Sequence, residues 1–546
     1  MNTTTAKHPK ALPYLFLTEM WERFGYYLML GIFVLYMTDV DKGGLGFDDR
    51  NADDVFGTFI AFVFLTPFLG GLIADRKLGY IKSIYIGGTL MGLGYMGLAI
   101  PGITAFYISL AFIIIGNGFF KPNISTLLGN LYSTDEFKAG KDSGYNIFYM
   151  GINVGAFICN LFAAFMRNKF GWGAAFFTAG VGMFLGLIIF SLGLKYIREA
   201  NIMKPANKED MPINKVLLYV LVPAIISGFI GWNIPDNLLG SDSTDAFIFS
   251  AIPVSLFYVS LLFRANAEDK RPISALLVIF ALSVMFWAVF KQNGTALTRW
   301  AKYYTDRELP AAIQKPAEYL YLAEVVPTAD AMVTKYDAQF RVQKEEGKPV
   351  KEMGKEVYLK NLPAASFENK SDIKLMNTEL FQSVNPGWVI LLTPVVVAFF
   401  AFMRRRGKEP TTASKIAWGL LVSALSTIVM VGAVYASQNG LQKVSSMWLI
   451  GCYGVITIGE LFLSPMGLSL VSKLSPVRLT SLMMGGFFLS TSIGNKLSGV
   501  LASKWYDYED KTHFFWMNCI LLLLAAICGF FLLKWLNGIM KEKGLN

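Results

Sequence analysis

Fourteen runs of about 20 predominantly apolar residues recur along this chain, each long enough to cross the hydrocarbon core of a bilayer as one helix. They lie near 13–38, 53–74, 80–100, 104–128, 145–167, 172–194, 215–232, 246–263, 274–300, 386–403, 415–436, 446–472, 480–503 and 513–536. In lipid every backbone N–H and C=O needs an internal partner, so runs of this kind are confined to helices packed on helices. The spacing predicts an all-α membrane protein grouped as six, two and six: a first six-helix bundle over 1–200, a linker with two additional spans over 201–272, and a second six-helix bundle over 273–546.

With 54% hydrophobic and only 16% charged residues, the chain has too little polar surface for a soluble domain of its size. The formal charge of +10 would suggest nucleic acid in a soluble protein. Here the bases gather in short joints, at Arg76/Lys77/Lys82, Lys195/Arg198/Lys204/Lys208, Arg264/Lys270/Arg271 and Arg404/Arg405/Arg406/Lys408. The positive-inside rule accounts for them and predicts cytoplasmic termini in a cell membrane, with a lipid bilayer rather than nucleic acid as partner. The acidic stretch Asp39 to Asp54 and the Lys- and Arg-free stretch Asn233 to Asp245 then fall outside.

Cys159, Cys452, Cys519 and Cys528 all lie in apolar runs without metal-ligand spacing, so neither a disulfide framework nor a metal site is expected, and no cofactor is implied. The first apolar run has acids in its middle and no basic head followed by a cleavage site, so it is expected to be a retained helix. One polar stretch, about 303–383, cannot span. Ala311 to Gln343 is expected to form short helices over the outer mouth, and the Lys344-Glu345-Glu346-Gly347-Lys348-Pro349 segment to be mobile.

Glu19, Glu22 and Arg23 interrupt the first span and share one helix face. A charge at bilayer depth costs roughly 2.5–3.5 kcal/mol on insertion scales and usually marks an ion, proton or substrate path. The fourth span of each half carries a proline beside a polar residue: Lys121-Pro122-Asn123 in one, and Glu460 with Ser464-Pro465 in the other. Interrupted helices at matching positions of two repeats point to a site at the membrane midplane. Lys291-Gln292-Asn293-Gly294 adds a cation and two amides in the first span of the second half. The expected inventory of interior charges is Glu19, Glu22 and Glu460 against Arg23, Lys121 and Lys291, while Arg299, Lys302 and Lys496 are assigned to the membrane interface. Competition among proton, partner cation and substrate for these carboxylates is a coupling mechanism. Because the only histidines, His8 and His513, lie in the N-terminal tail and at a helix margin, a proton carrier has to be a carboxylate.

Gly92-Leu93-Gly94-Tyr95-Met96-Gly97 matches a dinucleotide fingerprint formally, but no strand precedes it. Gly151/Gly155 and Gly182/Gly186 have the spacing of close helix packing. No nucleophile–base constellation for an enzyme is evident. Gly71-Leu72-Ile73-Ala74-Asp75-Arg76-Lys77-Leu78-Gly79, between spans 2 and 3, resembles the inner-gate signature of the major facilitator superfamily, with Asp75 and Arg76 as its gate residues.

Several motifs together resemble the proton-dependent oligopeptide transporter family of that superfamily, in its fourteen-helix bacterial form. They are Glu19-x-x-Glu22-Arg23-Phe24-x-Tyr26-Tyr27, Gly70 to Gly79, Gly118-Phe119-Phe120-Lys121-Pro122-Asn123, Phe148-Tyr149-Met150-Gly151-Ile152-Asn153-Val154-Gly155, Phe381-Gln382-Ser383-Val384-Asn385-Pro386, and Gly459-Glu460 through Ser469. The resemblance implies a proton symporter that imports di- and tripeptides by alternating access, functional as a monomer. It implies that Glu19, Glu22, Arg23 and Lys121 handle protons, that Glu460 receives the peptide amino terminus, and that Tyr27, Asn153, Asn385 and Ser464 contact the peptide.

The chain departs from the family pattern at matched positions. Leu30 stands where peptide transporters have an arginine for the substrate carboxylate, and Lys291 where an acid commonly pairs with that arginine. Loss of one alone would strand a buried charge, so the joint change is coherent. Lys291 is expected to supply the cationic end of the cavity instead. Gly57, Phe64 and Phe487 replace a His, a Tyr and a Trp frequent in relatives. These changes leave a different cargo, such as nitrate, a modified peptide or an amino-acid conjugate, as the alternative.

Overall fold

The computed structural model describes residues 8–137, 140–202, 215, 217–476 and 479–543. The side chains of Arg76 and Ser464, and the joint residues Lys204 and Lys208, lie outside the described set. Helices α1 (Leu12–Thr38), α2 (Asp49–Ile73), α3 (Tyr80–Gly97), α4 (Ile103–Leu131), α5 (Lys141–Phe170) and α6 (Trp172–Ile197) build the first bundle. A π turn, Leu217–Leu221, leads into α7 (Val222–Trp232), which pairs with α8 (Asp242–Arg264). The second bundle begins with α9 (Ala267–Phe290) and continues, through a single 3-10 turn at Lys291–Gly294, into α10 (Ala296–Tyr303).

A cap follows, made of β1 (Thr305–Asp306), α11 (Ala311–Tyr319), β2 (Ala323–Pro327), β3 (Ala331–Thr334), β4 (Lys344–Glu345), β5 (Lys348–Pro349), β6 (Lys351–Gly354) and β7 (Asp372–Met376). Helices α12 (Val384–Arg405), α13 (Thr412–Ala436), α14 (Met447–Leu474), α15 (Thr480–Ser503) and α16 (Lys511–Glu542) complete the bundle, with β8 (Val444–Ser445) between α13 and α14.

Among the described residues, nine helices are long and apolar enough to cross a membrane, and two shorter apolar ones accompany them. Helix α1 is less apolar because Glu19, Glu22 and Arg23 sit in it, and all three are buried inside the protein rather than turned to lipid. Each bundle has its own apolar core. Phe24, Phe33, Tyr95 and Phe120 belong to the first, and Phe286, Trp300, Tyr453 and Trp505 to the second. The bundles meet along two seams, α2 on α15 and α5 on α12. At the first seam Gly57 faces Gly499, where a Cβ on Gly57 would lie 3.0 Å from the Gly499 Cα, so the backbones touch only because neither residue has a side chain.

Local chemistry sets the helix ends. Asp48 caps α2 by accepting from the Asn51 N–H at 2.9 Å, and Ser241 caps α8 by accepting from Thr244 N–H at 3.2 Å. Pro122 inside α4 deprives the Gly118 carbonyl of its helical donor. Against that oxygen packs Gly70 of α2, where a Cβ would sit only 2.0 Å away. The proline break in α4 and the glycine in α2 therefore fit one another.

The cap differs from the sequence expectation. Only Ala311–Tyr319 of its first part is helical; the rest pairs as antiparallel β2–β7 and β3–β6. The Lys344 to Pro349 segment, expected to be mobile, pairs as the β4–β5 hairpin. Its two turn residues, Glu346 and Gly347, both have positive φ, 51° and 79°, the turn that matches strand twist. Polar composition marked this stretch as unable to span but did not reveal its pairing, which depends on partners up to 53 residues away, as in Ala323 against Met376.

Candidate transport site

On α1, Arg23 Nε donates to Glu19 Oε1 at 2.9 Å and lies 2.5 Å from Glu22 Oε2. The second contact lacks hydrogen-bond alignment, so among the described residues neither oxygen of the fully buried Glu22 carboxylate accepts a hydrogen bond. Burying a charged group without hydrogen bonds is costly unless a counter-charge is close. Lys121 on α4 lies within Coulombic reach of Glu22, Glu19 and Arg23, so the four residues form one cluster. The Arg23 guanidinium also stands 5.6 Å from the centroid of the Tyr26 ring.

The second bundle contributes Glu460 and Asn385. Asn385 Nδ2 donates to Glu460 Oε2 at 3.1 Å and to Thr457 Oγ1 at 2.8 Å, so α12 orients a carboxylate carried by α14. Tyr27 of α1 and Tyr149 of α5 both lie within Coulombic reach of Glu460, which brings first-bundle phenols to a second-bundle acid. Asn153 is buried one turn beyond Tyr149 and donates its Nδ2 to the Tyr149 carbonyl at 3.0 Å.

Lys291, in the 3-10 turn that ends α9, is buried and does not reach the interface. Its Nζ is ringed by Phe64, Trp287 and Phe290 at 5.7, 5.7 and 5.5 Å from their centroids, and Glu460 is within Coulombic reach. Lys121 Nζ stands 4.0 Å from the centroid of the same Phe64 ring. Leu30 packs on the first core and brings no charge. Asp75 sits in a π turn, Ala74–Leu78, between α2 and α3.

Two assignments are corrected. Arg299 is not interfacial: it is buried on α10 and bridges to α2, with Nη2 donating to Asp53 Oδ1 at 2.6 Å and Nε to Asp49 Oδ1 at 3.0 Å. Lys496 on α15 is likewise fully buried and pairs with Asp54 at 2.5 Å, while donating to Thr58 and Ser243. Its neighbours extend the latch to the added helices, because Ser241 and Thr244 of α8 also donate to Asp54 at 2.9 Å. At the second seam Arg167 of α5 pairs with Glu379, just before α12, at 3.0 Å. The interior inventory was thus too short. Asp53 and Asp54 read as loop acids, and a lone cation near the end of a span reads as snorkelling; only the tertiary contact distinguishes a latch. All these cross-bundle pairs lie at the cap end, so the mouth under the cap is closed.

Two six-helix bundles, a buried acid–base cluster between them and a mouth latched at one end define a secondary transporter with the major facilitator fold. Comparison with known sequences then gives the family. The POT family profile, PTR2, matches residues 81–320 and 365–517, and the chain belongs to that family. It is 28% identical over 529 residues to the "Uncharacterized transporter YclF" of Bacillus subtilis, covering 95% of this chain and 93% of the relative. It is 30% identical over 515 residues to "Peptide transporter YePEPT" of Yersinia enterocolitica, covering 90% and 87%. A crystal structure of a peptide transporter POT in complex with sulfate superposes with a TM-score of 0.76 at 28% identity, over 98% of this chain and 96% of that one.

Proposed function

We propose that this transporter couples the entry of protons to the uptake of di- and tripeptides by alternating access, as a monomer with both termini in the cytoplasm. The observation that carries the reading is Glu22, a fully buried carboxylate 2.5 Å from Arg23 on its own helix and within Coulombic reach of Lys121 on α4. A proton arriving at this cluster releases a cation, and the released cation changes what the cavity binds. Glu460, oriented by Asn385, takes the peptide ammonium; Lys291 takes the carboxylate; Tyr27 and Asn153 line the path between, and a peptide contact by Ser464 rests on the family resemblance alone. Asp75 and Arg76 belong to the gate on the opposite face. The reading is further supported by relatives at 27–28% identity named "Di-/tripeptide transporter" in Lactococcus lactis.

A second reading, a cargo other than ordinary peptides, is favoured by one specific feature. Lys121 and Lys291 crowd a single ring while Leu30 supplies no arginine, so the cavity's positive charge is displaced relative to the family pattern. Purified protein in sealed vesicles under an imposed proton gradient separates the two. Proton influx driven by dialanine or trialanine supports the first; influx driven by nitrate and by neither peptide overturns it.

A further inference from the structure

A second polar cavity, of about 400 Å³, lies beneath the cap, within the size range of small-molecule sites. Its floor is the end of α1 with the loop after it, Arg167, Trp172 and Lys302; its roof is β2, β3, Lys351 and Glu356 to Tyr358. The roof falls within 321–364, between the two stretches that the family profile matches, so the chamber is built by a segment outside the shared family pattern.

Most lining charges are already committed. Asp39 accepts from Trp172 Nε1 at 2.9 Å and from backbone N–H groups, Asp41 accepts from Lys351 and Thr334, and Arg167 pairs with Glu379. Glu324 is shared by Lys42 at 3.0 Å and Arg307 at 3.2 Å. Two of opposite sign remain. Among the described residues neither the Glu356 carboxylate nor the Lys302 ammonium makes an ion pair or hydrogen bond; Lys302 has the Tyr303 ring 5.0 Å from its Nζ and Asp41 within Coulombic reach. Arg307 is 5% exposed, lines the same space and is committed through Nη1, which donates to the Met376 carbonyl at 2.6 Å and to Glu324 at 3.2 Å.

We propose that this cavity is a second ligand site, which takes a small zwitterion such as an amino acid or short peptide. The ammonium rests on Glu356 and the carboxylate on Lys302. Burial, with Asp41 and Glu324 nearby, pushes the Glu356 carboxyl above its ordinary value against Lys42 and Lys351, so an arriving cation relieves a real electrostatic cost. The site deepens the transport reading above: with the mouth latched beneath it, the chamber holds substrate on the cap side until the latch opens.

The test is equilibrium dialysis of labelled dialanine against the full-length chain in lipid nanodiscs, in a Glu460→Gln background that weakens the central site. Retained dialanine binding that falls about tenfold with Glu356→Gln, and again with Lys302→Gln, supports the site. Loss of affinity for dialanine blocked at either terminus supports the zwitterion assignment. Retention of the parent melting temperature keeps folding out of the comparison. Absence of dialanine binding in the Glu460→Gln protein, or binding indifferent to both substitutions, overturns the proposal. The two readings fail separately: a wild-type chain that binds dialanine under the cap but moves no peptide sinks the transport reading alone, and one that transports peptide with an empty chamber sinks this proposal alone.

Discussion

Lys121 and Lys291, from different bundles, stand over one ring: their ammonium groups lie 4.0 and 5.7 Å from the centroid of Phe64 on α2. The ring is an electrostatic partner to both cations, and each desolvated cation–π contact is worth about 1–2 kcal/mol. Phe64→Leu is therefore expected to weaken substrate binding, and a double-mutant cycle of Phe64→Leu with Lys291→Gln to show a coupling of about 0.5–1.5 kcal/mol. Additive effects on substrate affinity would show that the shared ring is incidental.

Lys291, proposed above to receive the substrate carboxylate, stands within Coulombic reach of Glu460. Lys291→Gln is expected to abolish uptake of peptides with a free carboxylate while sparing carboxyl-amidated ones. Side-by-side uptake of a dipeptide and its amide checks this; equal loss of both would assign Lys291 to structure rather than recognition.

Arg299 and Asp53 latch α10 to α2 with both side chains buried. Removing Asp53 leaves Arg299 paired with Asp49 alone, at 3.0 Å, so the cost falls below the roughly 3–5 kcal/mol of a fully stranded buried charge, whereas replacing both with apolar groups is milder. Asp53→Asn is expected to open the cap-side mouth, read as faster labelling of a cysteine introduced at Ser498, which is buried on α15. Asp53→Leu with Arg299→Leu is expected to label more slowly than Asp53→Asn alone.

The cap is held to the α1–α2 loop by carboxylates with depressed pKa. Burial would raise Glu324, but Arg307, Lys42 and Arg167 hold it well below the usual range. Burial also opposes the lowering of Asp41, which the Lys351 and Thr334 hydrogen bonds bring about. A depressed folded-state pKa gives stability that is present above the ordinary carboxylate value, about 4, and lost as pH falls through the folded-state value. Cap docking should be unchanged from pH 8 to 5 and loosen only below about pH 4, measured as hydrogen exchange in β3 and β6. Loosening between pH 7 and 5 would assign the docking to other groups. Lys351→Met should remove most of the Asp41 share of the acid dependence.

Much was legible in the chain itself. Apolar run length determined the helices, because a bilayer offers backbone groups no partner outside them. The charged residues at 19, 22, 23, 121, 291 and 460 were recognisable because each interrupts a run that hydrocarbon would otherwise favour. Helical spacing alone placed Glu19 and Arg23 one turn apart, and their 2.9 Å hydrogen bond follows from it.

Other relationships were not legible. Arg299 and Asp53 are 246 residues apart and Lys496 and Asp54 are 442 apart, so no local pattern connects them. Near the end of a span, a latching lysine and a snorkelling lysine have the same sequence signature; packing of α15 against α2 distinguishes them. The same holds for the cap, where strand pairing depends on distant register, and for Phe64, whose position between two cations requires both bundles to be assembled. Sequence determined which groups are costly to place in lipid, because that cost belongs to each residue. Tertiary structure decided which group offsets which, because that depends on distances the linear order does not contain.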